Sequence, residues 1–299
     1  MSQPQPQTTT GVPVTFDNTK ALRWRTFYKR LAKNKAALAG TFIIILVIIL
    51  GIFAPLLATH DPNTPNVMNK LQGPSAEHYL GTDEMGRDIF SRLLFGTRVS
   101  LGIGFVSTLL GAIVGVTLGI VAGYYGRWVD SLIMRICDIL LAFPGILLAL
   151  AIVSVLGAST RNVIIAVAFY AIPSFARIVR GSTLSVKKLE YVDAIRAMGS
   201  RDGRIIFRHI LPNIMSPIIV QATLYIASAI ITASALSFLG MGTRPPTAEW
   251  GAMLSQGRAY LAQAPHITLF PGLVILLVVI GFNLMGDGLR DALDPKSRK

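Results

Sequence analysis

Few residues in this chain are placed for bond-making chemistry. The four histidines, His60, His78, His209 and His266, are scattered. No His-Glu-x-x-His pair is present to hold zinc, and no Gly-x-Ser-x-Gly turn to present a nucleophile. Serines are many but have no partner bases. No Gly-x4-Gly-Lys-Ser/Thr loop exists to cradle nucleotide phosphates. One cysteine, Cys137, excludes an internal disulfide and any multi-cysteine metal site. What remains is built for contact. Tyr191, Val192, Asp193, Ala194, Arg196 and Ala197 run at helical spacing, Gly199 breaks the run, and a second helical stretch ends at Leu211 and Pro212. Helix, glycine, helix inside a large basic loop reads as a docking element. Further on, Gln221, Tyr225, Ser228 and Thr232 fall at i, i+4, i+7 and i+11, within about 60° of one another on a helix. In a membrane such a polar face turns to a pore or to another helix.

The elements that must position these residues follow from composition. Of 299 residues, 52% are hydrophobic and 14% charged, against about 25% charged in soluble domains. The charges are clustered, leaving uncharged runs at 36–58, 99–126, 139–160, 162–176, 209–243 and 259–286. A spanning helix needs roughly 20 apolar residues. Five runs meet this, and the short fourth is extended by snorkelling of Arg161 and Arg177 at its ends. Pro212 and Pro217 are expected to break the fifth run, so that its span starts near Ser216. The fold class is an all-α membrane protein with six transmembrane helices. The first run lies behind a polar stretch and exceeds the usual apolar core of about 7–15 residues in a signal peptide, so it reads as an uncleaved anchor.

Charge distribution supports six spans. With the N-terminus inside, the inner segments hold 21 basic residues and the outer ones 7, which obeys the positive-inside rule. Five spans would put the basic tail beyond Arg290 outside. The net charge of +13 therefore reflects topology and attraction to anionic membrane lipid, and nucleic acid is not a partner.

Finer organisation follows. Residues 1–19 are rich in Gln, Thr and Pro and read as disordered. Trp24, Phe27, Tyr28 and Leu31 suggest an amphipathic helix on the inner surface. The outer segment 59–98 is irregular at first, and its second half reads as a short interfacial helix with Ile89, Phe90, Leu93 and Leu94. Gly111, Gly115, Gly119 and Gly123, after Ser107, let another helix of the same chain approach closely. Arg135 and Asp138 form an interface-level i, i+3 pair, and Pro144 is expected to kink the third span.

The loop carries a resemblance. Asp193-Ala194-Ile195, Gly199 and His209-Ile210-Leu211-Pro212 repeat, spacing intact, the Glu-Ala-Ala, Gly, Ile-x-Leu-Pro motif of bacterial ABC importer permeases. Asp193, Ile195 and His209 depart from it, and Asp193 keeps the carboxylate on a shorter stem. His78-x-Leu80-Gly81-Thr82-Asp83-x-x-Gly86-Arg87-Asp88-x-x-Ser91-Arg92, Phe238-Leu239-Gly240-Met241-Gly242 and the run from Phe282 to Asp291 are similar to the second permease subunit of the peptide and nickel group. Within that group the resemblance is closest to the dipeptide branch.

The resemblance implies a type I ABC importer permease fold in a bacterial cytoplasmic membrane, both termini cytoplasmic. A tail and interfacial helix at 1–35 and a first span at 36–58 would precede a periplasmic segment at 59–98. A five-helix core at 99–290 would enclose a coupling loop at 181–215, and a cytoplasmic tail would occupy 291–299. It implies a second homologous permease chain, two ATP-binding subunits and a periplasmic peptide-binding protein as partners. ATP and Mg would be bound by the partner ATPases, with no cofactor in this chain and no catalytic role. The site residues would be Tyr191, Val192, Asp193, Ala194, Arg196, Ala197, Gly199, Leu211 and Pro212 for ATPase coupling, and Gln221, Tyr225, Ser228 and Thr232 for the translocation path. Di- or oligopeptides are the implied cargo, with nickel, murein peptides or antimicrobial peptides as alternatives. A proton-coupled secondary transporter is the rival of another class. It would place acids in its spans, and here the span cores carry none apart from interface-level Asp138 and Asp287.

Overall fold

The structure is a computed structural model that describes residue 32 and residues 34–293. The anticipated surface helix around Trp24, the N-terminal tail and the C-terminal tail beyond Leu293 lie outside the described residues, and the last helix extends through 291–293, into the expected tail. Among the described residues, regular structure is helical throughout. The chain runs through α1 (Lys35–Ile52), α2 (Ala54–Leu57), α3 (Ile89–Tyr125), α4 (Arg127–Ala142), α5 (Gly145–Leu156), α6 (Thr160–Lys187), α7 (Glu190–Ala197), α8 (Asp202–Ile205), α9 (Leu211–Phe238), α10 (Trp250–Gly257) and α11 (His266–Leu293).

Five stretches are long and apolar enough to cross a membrane: α1, α3, α6, Asp202–Phe238 and α11. The expected third span is not one helix. α4 and α5 meet at a 91° bend, so Pro144 breaks the helix rather than kinking it. Proline pushes the residue before it out of the helical region, and Phe143 is extended at φ −86°, ψ 136°. The bent pair still joins the two ends of the bundle. It leaves α3 at Gly126, and the next helix starts at Thr160, whose hydroxyl lies 2.9 Å from that of Thr243 at the opposite end. Counted as one passage, the pair makes the sixth.

Other expectations need correction. The short fourth run is a span, as expected, but it forms only the first half of the 28-residue α6, which runs on to Lys187. The outer amphipathic helix does not stand apart, because α3 runs unbroken through 37 residues from Ile89. Asp88 starts it by accepting from the Ser91 N–H at 2.8 Å. Pro217 does not interrupt the fifth span. Ile206, Ile210, Ile214 and Ile218 bury one continuous face against Ile120, Tyr124, Val179 and Val192. That packing outweighs a cost of about 3 kcal/mol for an internal proline. At Ile206–Ile210 the helix widens into a π turn before continuing as α9.

The glycine stripe does pack within the chain. A Cβ on Gly115 would lie 2.6 Å from the Ile172 carbonyl oxygen and 2.6 Å from Phe175 Cβ. On Gly119 it would lie 2.6 Å from the Ala176 carbonyl oxygen. α3 and α6 therefore touch backbone to backbone, which only small residues permit. Asp138 does not pair with Arg135. It bonds Arg177 of α6 at 2.7 Å, and Asp130 bonds Arg180, also of α6. The acids of α4 thus tie it sideways to α6.

Candidate functional site

At one end of the bundle, rich in basic residues, α7 projects as a two-turn helix. Val192 is its fully buried anchor, seated among Ile205, Ile210 and Ile214. Asp193, Ala194, Arg196, Ala197 and Gly199 all face outward. The helix ends in a double-bonded cap. The Gly199 N–H donates to the Arg196 carbonyl at 3.0 Å and the Ser200 N–H to the Ile195 carbonyl at 3.3 Å. Gly199 sits at φ +78°, the left-handed region glycine enters without cost. The sequence motif thus encodes an abrupt stop that leaves Ala194 and Ala197 flush on an open surface. Asp193 and Arg196 stand at its rim, only 3.5 Å apart and both solvated.

Two ties fix this helix to the spans. Tyr191, part exposed, accepts a hydrogen bond from Asn213 Nδ2 at 3.1 Å, and so is held to the first turn of α9. Tyr124, at the end of α3, lies under the Arg196 guanidinium of α7 at 5.6 Å, and it donates to Asp202 of the following helix α8 at 2.6 Å. Lys187 of α6 donates to the Tyr124 carbonyl. Leu211 is half-buried and Pro212 exposed, at the first turn of α9. Tyr124 was missed in the sequence, because its partners lie 63 and 78 positions away.

The four polar residues of α9 are not equally open. Ser228 is exposed, and Gln221 and Thr232 are half-buried. Tyr225 is buried, with its ring 5.7 Å from Phe175 and its hydroxyl 3.4 Å from the Val167 carbonyl. It leans onto α6 and packs there. Gln221 lines a groove of about 500 Å³ with Asn213, Ser216, Leu224 and Arg290.

At the opposite end, residues 59–92 form a buried polar framework that patterning did not reveal. Asp83 accepts from Arg87 Nε at 2.7 Å and lies 3.3 Å from Arg92 Nε. Arg92, with no exposed surface, donates to the carbonyls of Pro62 and Pro246. Arg87 reaches Gln256 at 3.2 Å. Burial, with Asp83 beside it, pushes the Glu84 carboxyl up. Trp250 is fully buried and donates its indole N–H to Leu93. The signal available was a run of charges with Gly81 and Gly86 between them, both at positive φ.

The helices long and apolar enough to cross a membrane, with an exposed capped helix at one end, are those of a multi-span membrane protein. Residues 115–299 match the family model described as the binding-protein-dependent transport system inner membrane component. Residues 23–74 match the N-terminal transmembrane domain of oligopeptide transport permease C. The chain belongs to this family of ABC importer permeases. It is 54% identical to the dipeptide transport system permease protein DppC of Alkalihalophilus pseudofirmus, over 92% of this chain and 90% of that one. It is 50% identical to the glutathione transport system permease protein GsiD of Pectobacterium atrosepticum, over 95% of both. The fold is similar to that of the MetNI methionine ABC transporter in inward-facing form, with a TM-score of 0.56 and 19% identity over 68% of this chain and 97% of that one.

Proposed function

We propose that this chain is the membrane subunit of a peptide importer, paired with a second permease chain and driven by two ATP-binding subunits. The observation that carries this reading is α7: a short helix with an open alanine face, capped at Gly199 and tied to two spans through the Arg196–Tyr124 contact and the Asn213–Tyr191 hydrogen bond. A docked partner pushing on α7 would load the Tyr191–Asn213 bond and the Arg196–Tyr124 contact, and so move α9 and α3 together. Because the isoleucine face is continuous from Ile206 to Ile218, that load enters the fifth span as rigid-body motion. ATP and Mg belong to the partner subunits in this reading, and the chain itself does no catalysis.

Small peptides as cargo rest on the dipeptide and glutathione relatives, both short peptides by chemistry. A binding protein would deliver them at the face carrying residues 59–92. The basic end carrying α7 is taken as cytoplasmic, with both termini on that side. Asn34 beside the start of α1 lies 3.3 Å from Asp291 near the end of α11, which supports placing them together. The test is reconstitution. The chain should co-purify with two ATPase subunits and a second permease, and the vesicles should take up labelled dipeptide only with ATP and binding protein. Uptake driven by a proton gradient without ATP would overturn the reading.

A further inference from the structure

We propose that the outer framework holds a divalent transition-metal ion, of the zinc type, between His60, Glu77 and His78. These three residues each offer one ligand atom, and the atoms lie within 4.8 Å of one another. Two imidazoles and one carboxylate form a ligand set that suits zinc, with a fourth position left for water. The residues come from separate places. His60 follows the first span, and Glu77 and His78 belong to the turn before the α3 cap.

The second layer supports a built site. Asp88 is buried, with an oxygen 3.0 Å from His78 Nδ1 and 3.9 Å from His60 Nδ1. A carboxylate behind a histidine fixes its tautomer and aims the other ring nitrogen outward, the arrangement that orients metal-binding histidines. Among the described residues, Nε2 of His78 has one polar neighbour, Asn69 Nδ2 at a long 3.5 Å. The two rings lie 4.5 Å apart at 35°, so they share one small volume. Asp88 itself is pinned by Thr59 and by the Ser91 N–H. His60 is half-buried and Glu77 exposed, so both have room to close to about 2 Å from one ion beside the buried His78. An ion here would clamp the outer end of the first span to the cap of α3.

The complex should be prepared without a histidine tag, stripped with chelator, and titrated with Zn2+ against a chromophoric competitor. The native complex should bind one ion per chain at this site, and Zn2+ should raise its melting temperature. His60→Ala and Glu77→Gln, at accessible positions that leave the buried framework intact, should each weaken binding by about tenfold or more and abolish the thermal shift. Co2+ in its place should give a four-coordinate absorption spectrum, lost in the same variants. Native and variant complexes binding Zn2+ equally, or a native complex that binds none at micromolar concentration, would overturn the assignment.

Discussion

At Gly199 an added Cβ would meet nothing within 4 Å. Any effect of substitution there comes from φ +78°, and not from crowding. Asparagine tolerates the left-handed region, whereas a β-branched side chain pays about 1–2 kcal/mol to enter it. Gly199→Asn should therefore keep ATP-driven uptake near the native level, and Gly199→Val should lower it severalfold per assembled complex. Equal uptake by the two variants would mean that the backbone turn is immaterial. The glycine was legible because helix ends favour glycine and the motif marks one. Tyr124 was not, since its bond to Asp202 joins elements separated by the whole of α4 to α7. Val192 reads as one apolar residue among several in the sequence, and only the folded loop makes it the anchor.

Helix α9 carries the proposed path. Its polar face was legible from spacing, but the direction of each side chain was not. Tyr225 stands at the edge of the 60° arc and is long enough to fall onto α6, where Phe175 and the Val167 carbonyl receive it. Ser228 stays open. Ser228→Trp and Thr232→Phe should reduce peptide uptake while leaving complex assembly intact. Tyr225→Phe gives up only a 3.4 Å hydrogen bond and should leave uptake nearly unchanged. Parallel pull-down and uptake assays check this, and full uptake by both bulky variants would remove the face from the path. The third span shows a different limit. Hydropathy sees apolar runs on both sides of Pro144 but not the angle between them. The 91° turn arises because Phe143 is driven extended and because Asp130 and Asp138 hold α4 against α6.

Across the whole molecule, two ends separate cleanly. Residues 59–92, 157–160 and 239–265 meet at one end through Arg92–Pro246, Arg87–Gln256 and Thr160–Thr243. Tyr124, Lys187, α7 and α8 meet at the other. In the proposed topology the first end lies outside and the second inside, because lysine and arginine bias is a property of loops and survives errors in helix boundaries. Cysteines placed at Asn66 and Thr247 should react with an impermeant thiol reagent added outside, and one at Ser297 should not. Native Cys137 is 2% exposed and adds little background. Labelling at 297 without labelling at 247 would invert the topology. The central claim is that α7 receives the work of ATP hydrolysis. Its most direct test is Ala194→Arg, which puts a long charged side chain on the open alanine face without touching Val192, Tyr124 or Tyr191. In one set of vesicles, ATPase association, ATP hydrolysis and peptide uptake should be measured together. The account predicts a permease that inserts normally but loses ATPase subunits or hydrolyses ATP without uptake. Native values for all three would contradict it.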